Sequence, residues 1–160
     1  MEYQEIKKRL IFLTISLVLI LGLIWLTLSL LNRGKEIVKP EIITQALVGD
    51  KVISLELATT PEEHYLGLSN RSPICDHCGL LFLFTDLKER TFVMREMNFP
   101  LDIIFLLDGT IVNIYENLAP EGKNPLASYS SLGPVNQVLE VKAGLVQEFN
   151  LKSGSQLIFR

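Results

Sequence analysis

The sequence predicts a mainly β (α+β) protein: a small, mostly antiparallel β-barrel or sandwich with one or two short helices, preceded by a single transmembrane helix. Three observations lead there. Leu10 to Leu31 is a 22-residue run without a charge. The rest of the chain breaks into seven or eight short apolar runs separated by turn residues, without the regular strand–helix alternation of a doubly wound sheet. Asp108-Gly109 joins two β-rich arms, and both residues accept the positive φ of a type I′ turn.

The apolar run comes first. At helical rise it is roughly 33 Å long, enough to cross a bilayer core. It exceeds the apolar core of a cleaved signal peptide, and no A-x-A pattern follows it, so an uncleaved anchor over 10–31 is expected. Trp25 lies toward its far end as an interface anchor. Lys7-Lys8-Arg9 abuts the near end, and Arg33, Lys35 and Lys39 lie beyond the far end. The compact basic cluster on the short tail, 1–9, argues for a cytoplasmic N-terminus and an extracytoplasmic domain. Residues 32–41, charged and ending near Pro40, read as a stalk to a domain over 42–160.

Within that domain, Ile42–Val48 and Val52–Ala58 read as strands joined through Gly49-Asp50. Thr60-Pro61-Glu62-Glu63 has a cap, a proline at the first helical position and a capping-box glutamate. A short helix should run to about Leu66 and stop at Gly67. Ser69–Gly79 lacks an apolar period and reads as a loop. Leu80–Phe84 and Thr91–Met97 read as separate strands across a charged turn at Thr85–Arg90. The Asp108-Gly109 hairpin follows, its first arm Ile103–Leu107 apolar throughout and therefore covered on both faces. Asn117–Pro134, with three prolines and two glycines, reads as a long irregular stretch. Gln137–Val141 is a strand, Ala143–Asn150 a helical turn, and Gln156–Arg160 a closing strand.

The segment 41–160 holds nine Lys and Arg against fifteen Asp and Glu. An acidic domain of this kind argues against a nucleic-acid partner and against adhesion to anionic lipid beyond the anchor. No spaced Ser/His/Asp set, paired-carboxylate motif, glycine-rich phosphate loop or metalloprotease motif is present, so neither a catalytic residue nor a cofactor is indicated.

Two constellations carry chemistry. Asp102 stands alone at the entrance of an apolar strand, expected to face the Met94-Arg95 strand across the Pro100 corner. With Arg71 and Arg95 it could grip a polar ligand through guanidinium forks, with Met94, Tyr129 and Ser130 lining the cleft. Alternatively it pairs with one Arg, or caps backbone N–H groups, as a structural pin. Cys75-Asp76-His77-Cys78 holds both cysteines of the chain. Outside the cytoplasm such a pair oxidises to a local disulfide. A metal site built on Cys75, Cys78 and His77 or His64 is the second option, although the sequence offers no second Cys pair. A redox-active pair is the third, without the usual strand–helix context.

The ordered motifs resemble the DUF192 (UPF0127) family of bacterial and archaeal domains. They are Leu57-Ala58-x-Thr60-Pro61-Glu62-Glu63, Gly67-Leu68-x-x-Arg71, Gly79-Leu80-Leu81-Phe82-x-Phe84, Phe92-x-Met94, Pro100-Leu101-Asp102-Ile103-Ile104-Phe105 through Gly109, Tyr129-Ser130, and Val138-Leu139-Glu140-Val141-x-Ala143-Gly144. The resemblance covers roughly 42–160 and implies a small, mostly β, closed-sheet domain. It implies no reaction. The chain departs from the family pattern at Phe92-Val93-Met94-Arg95-Glu96-Met97, where relatives usually have Phe-Trp-Met-Lys-Asn-Thr. It also lacks the Cys that some relatives carry before the Tyr-Ser motif. The functional expectation is a membrane-anchored module of the cell envelope that binds a small polar ligand or another envelope protein without catalysis. The alternative is an envelope enzyme or redox/metal protein using Cys75/His77/Cys78 or Asp102/Arg71/Arg95.

Overall fold

A computed structural model of the protein describes residues 2–32 and 44–160. The chain divides into two units, Met1–Pro40 and Glu41–Arg160. In the first, α1 (Glu2–Asn32) runs without interruption from the basic tail into the apolar run. Over Tyr3–Thr27 it is long and apolar enough to cross a membrane. Phe12, Leu19 and Trp25 are exposed along it. The basic residues after the run, the 33–41 part of the expected stalk and the first two residues of the expected first strand lie outside the described residues.

The second unit is a curled, mixed seven-stranded sheet. Its strands are β1 (Thr44–Val48), β2 (Lys51–Ala58), β3 (Cys78–Phe92), β4 (Leu101–Leu107), β5 (Thr110–Leu118), β6 (Tyr129–Lys142) and β7 (Ile158–Phe159). Their spatial order is β5-β4-β6-β3-β2-β1-β7. Only β2 and β3 pair in parallel, through a crossover that contains α2 (Pro61–Leu66); the other neighbours are antiparallel. α3 (Leu145–Glu148) follows β6. The mostly antiparallel β-domain with short helices therefore forms as its sequence pattern predicts.

α2 carries the whole predicted start and stop. Thr60 accepts from the Glu63 N–H at 3.2 Å, and Glu63 Oε2 accepts from the Thr60 N–H at 3.0 Å. Gly67 ends the helix at φ +50, a conformation a side chain resists. The β4–β5 hairpin turns at Asp108 (φ +47) and Gly109 (φ +79), as a type I′ turn requires. A Cβ on Gly109 would lie 2.7 Å from the Leu157 carbonyl oxygen. That contact matters, because the hairpin tip meets the C-terminal segment: Leu157 N–H donates to the Gly109 carbonyl and Ile111 N–H to the Ser155 carbonyl. These bonds join the two sides of the sheet at one end and curl it toward a barrel.

Both faces of the sheet are apolar, and each builds a core. Ile104, Leu106, Leu139, Val141, Leu55 and Leu81 point inward, closed by α3 and Leu157. Ile103, Phe105, Val138, Leu80 and Phe82 point the other way, beneath Leu68, Met94, Met97 and Phe99 of the connecting segments. β4 is consequently buried along nearly its whole length.

Three elements differ from expectation. β3 is one strand of 15 residues, because Thr85–Arg90 continues it instead of turning. Asp86, Lys88 and Arg90 recur at the two-residue period of a strand face, and both cations pair with Asp86. Thr91–Met97 is not a strand. It leaves the sheet after Phe92, and Glu96 takes φ +51. β6 starts at Tyr129, so the irregular stretch shrinks to 119–128. Pro134 is accommodated within β6 close to irregularities in its register with β3.

Asp102 is fully buried and points into the inner core. It does not face Met94-Arg95. Oδ1 accepts from Asn117 N–H at 2.8 Å, and Oδ2 from Gly144 and Val146 N–H at 3.0 and 3.1 Å. Asn117 sits where β5 bulges away from β4, and the N-cap of α3 is Gly144, which has no side chain to offer. One carboxylate thus satisfies three amides that the local backbone leaves open. Asp102→Ala should lower the unfolding free energy of the full chain by roughly 3 kcal/mol or more, since buried donors lose their acceptor. Urea unfolding followed by circular dichroism measures this; a loss below about 1 kcal/mol would mean the amides find other partners.

Candidate functional site

On the outer face of the sheet, a cleft of about 540 Å³ opens between the C-terminal half of α2 and the outer half of β3. Its rim and walls come from Tyr65, Phe84, Arg90, Phe92 and Arg95, and Glu140 of β6 lies within its lining. The strand register explains the placement. Glu140 pairs with Leu80 on one side and Ile103 on the other, so its side chain projects into the outer core, away from Asp102. Gly67 admits it: a Cβ there would stand 3.5 Å from Glu140 Oε2 and 3.3 Å from Phe82 Cζ.

The walls are aromatic rings overlaid by guanidinium groups. Arg90 Cζ lies 3.9 Å from the centre of the Phe84 ring, and Arg95 Cζ lies 4.0 Å from that of Tyr65. The His64 ring lies tilted against Phe84, with centroids 4.5 Å apart, and makes a 2.9 Å hydrogen bond to the Ala58 carbonyl through Nε2. Asp86 occupies one edge of the Arg90 guanidinium. Lys88, and then Arg90, hold the Asp86 carboxyl below its usual range, so it stays ionised.

Among the described residues, two buried side-chain atoms lack a hydrogen-bond partner: Glu140 Oε2 and Arg90 Nε. Both belong to residues that line this cleft. Buried polar atoms are ordinarily satisfied, so an unmatched oxygen and an unmatched N–H on residues lining one cleft single it out as the candidate site. Burial pushes the Glu140 carboxyl up to about 8, which keeps it a neutral acid at neutral pH.

The structure does not gather the six residues singled out from sequence. Arg95 lines the cleft. Arg71 forms a 2.7 Å ion pair with Glu56, and Asn98 donates to its carbonyl. Met94 is fully buried in the outer core. Tyr129 packs tilted against Tyr115, with ring centroids 5.2 Å apart, and the Ser130 hydroxyl donates to Glu89. Asp102 lies on the opposite face of the sheet. Sequence reasoning passed over Glu140, Arg90 and Tyr65. Glu140 did leave a signal: it is the single charge in the apolar run Val138–Val141.

Cys75 and Cys78 form a disulfide. Lys142 pairs with Asp76 and holds its carboxyl low, and His77 Nε2 lies 2.9 Å from Glu148 Oε1. Among the described residues, no group of three or more His, Cys, Asp or Glu is placed to hold a metal ion.

A curled mixed sheet with a lateral cleft defines a small β-domain with a candidate ligand site. The chain belongs to the DUF192 family, described as an uncharacterized ACR, which it matches over residues 43–159. It is similar to a crystal structure from Sinorhizobium meliloti 1021, described as a proposed transcription regulator. That similarity has 30% identity and a TM-score of 0.66, covering 72% of this chain and 91% of that one. It is also similar to a protein of unknown function from Novosphingobium aromaticivorans DSM 12444, at 33% identity and a TM-score of 0.64. There the coverage is 72% of this chain and 83% of that one. A search of curated proteins gave no match.

Two outcomes follow from this geometry. In the folded protein Glu140 keeps its proton through the range where an unfolded chain has lost it. Its contribution to stability is therefore full below about pH 4.5 and is lost as pH rises toward 8. Glu140→Gln, neutral at every pH, should flatten that decline. Thermal melts of both proteins from pH 4 to 9 give the comparison, and parallel curves would refute the buried neutral acid. Replacing Cys75 and Cys78 with Ser should cost about 2 kcal/mol or less, because the closed loop is short. Intact mass should rise by two hydrogens on reduction of the wild type and stay fixed in the double variant.

Proposed function

We propose that this protein is a membrane-anchored binding module that receives a small polar ligand in the cleft over Glu140, without chemical turnover. The observation that carries the reading is the pair of open buried atoms, Glu140 Oε2 and Arg90 Nε, on residues of one cavity. A cavity of this size suits a ligand of metabolite dimensions. The apolar length of α1 supports insertion in a bilayer. The Lys7-Lys8-Arg9 cluster supports a cytoplasmic N-terminus and, with it, a domain on the envelope side. The excess of acidic side chains in 41–160 speaks against nucleic acid, so the description of the Sinorhizobium protein is not carried over.

A second reading has one observation in its favour. An acid held neutral to about pH 8 inside a cleft suits proton donation, as an enzyme of the envelope would need. Native mass spectrometry of the detergent-extracted full chain tests both. Binding predicts a retained small molecule in the wild type that Glu140→Leu no longer holds. An enzyme would convert that molecule on incubation. Identical ligand-free spectra, with no thermal stabilisation by any metabolite in a broad screen, would reject the cleft as a site.

A further inference from the structure

Granted that the cleft is a binding site, we infer that its ligand is a short peptide in extended conformation, which adds a strand to the open edge of β3 and places an acidic side chain against Arg95.

The pairing of β3 leaves that edge. On one side β6 accompanies it as far as Phe92, which pairs with Tyr129. On the other side β2 pairs only with Cys78–Phe82, because β2 ends at Ala58 and the chain enters α2 at Pro61. From Leu83 to Phe92, β3 therefore has no strand beside it on the β2 side. The cleft opens there, between α2 and β3. Five consecutive residues, Glu89 to Val93, contribute to its lining. A cavity against one face of a strand would meet every second residue, so an unbroken run means that the cleft follows the strand edge.

A strand edge offers N–H donors and carbonyl acceptors in sequence, and the chemistry that answers both in order is another extended main chain. At about 3.3 Å per residue, four or five residues cover the stretch 89–93.

The rim supplies side-chain selectivity. Tyr65, Leu66 and Val93 line the cleft and are exposed, so they offer apolar surface to alternate side chains of the peptide. Arg95 lies over the Tyr65 ring and donates to the Tyr65 carbonyl; among the described residues no acidic side chain pairs with it. Within a segment of nine basic and fifteen acidic residues, this guanidinium selects for a carboxylate. The other ions of the cleft are already engaged, Arg90 by Asp86 and Glu89 by Ser130. A second copy of the chain has a similar edge, but it carries the same Arg90 and Arg95, so joining two copies there brings like charges to one seam.

Panning a displayed library of random heptapeptides on the detergent-extracted full chain supplies the probes. Enriched sequences are resynthesised with both ends blocked, measured by fluorescence anisotropy, and located by amide hydrogen exchange. The inference expects an acidic position flanked by β-branched or aromatic residues, and slowed exchange over 83–93. Methylating alternate peptide nitrogens should weaken binding about tenfold in one alternation and spare it in the other, since only one set faces β3. Arg95→Glu, with an unchanged circular dichroism spectrum, should weaken the acidic peptide about tenfold and favour its lysine counterpart. The inference is overturned if no sequence is enriched, if exchange slows elsewhere, or if both methylation patterns bind alike. Exchange over 83–93 that slows with protein concentration alone would assign the edge to a second copy instead. If the peptides fail while the wild type retains a metabolite that Glu140→Leu loses, the peptide reading falls and the cleft stands. If both fail, both readings fall.

Discussion

Asp102 accepts hydrogen bonds from three backbone amides, and the rest of the domain depends on that arrangement. It ties β4, the middle of the buried hairpin, to the bulge in β5 and to the first turn of α3. Three amides without a side-chain neighbour of their own would otherwise be buried and open. The two carboxyl oxygens, with several lone pairs between them, can accept from several N–H groups at once. α3 closes the inner core with Leu145 and Val146. The inner core fixes the curl of the sheet, and the curl sets the outer face on which the cleft is built.

The sheet separates two carboxyl groups with opposite situations. Asp102 and Glu140 lie on neighbouring strands, one register position apart, and face opposite ways: Asp102 pairs with Val141, and Glu140 with Ile103. Each is the one acidic residue of its strand. The first accepts from three backbone amides, so it serves the fold. The second has an oxygen without a protein partner, on a residue that lines the cleft. Burial alone does not distinguish the two; the partners do.

That contrast also explains how far the sequence can be read. Local chemistry made α2 and the Asp108-Gly109 turn legible, because the capping box and the I′ turn are complete within a few residues. The apolar arm of β4 revealed its double burial for the same reason. The length of β3 was hidden, since charged residues suggest a turn while their two-residue alternation fits a strand with one wet face. The site was hidden further. Asp102 drew attention as a lone charge at a strand entrance, and its three partners come from 15 to 44 residues away. Glu140 gives the same kind of signal, and only the tertiary arrangement of Gly67, Phe82 and Arg90 turns it into the floor of a cleft. Arg90 and Tyr65 gave no local sign at all.

The seam between Gly109–Ile111 and Ser155–Leu157 has a consequence for biogenesis. The hairpin strands β4 and β5 are synthesised early relative to the residues that close against them. A nascent chain emerging in order therefore presents the tip of an apolar hairpin without its final partner until residues 154–157 have left the ribosome or translocation channel. Contacts of such sequence separation form late, because the intervening chain must first be ordered. During that interval an open strand edge is exposed to other chains. Completion of the seam then separates a vulnerable intermediate from a sealed domain.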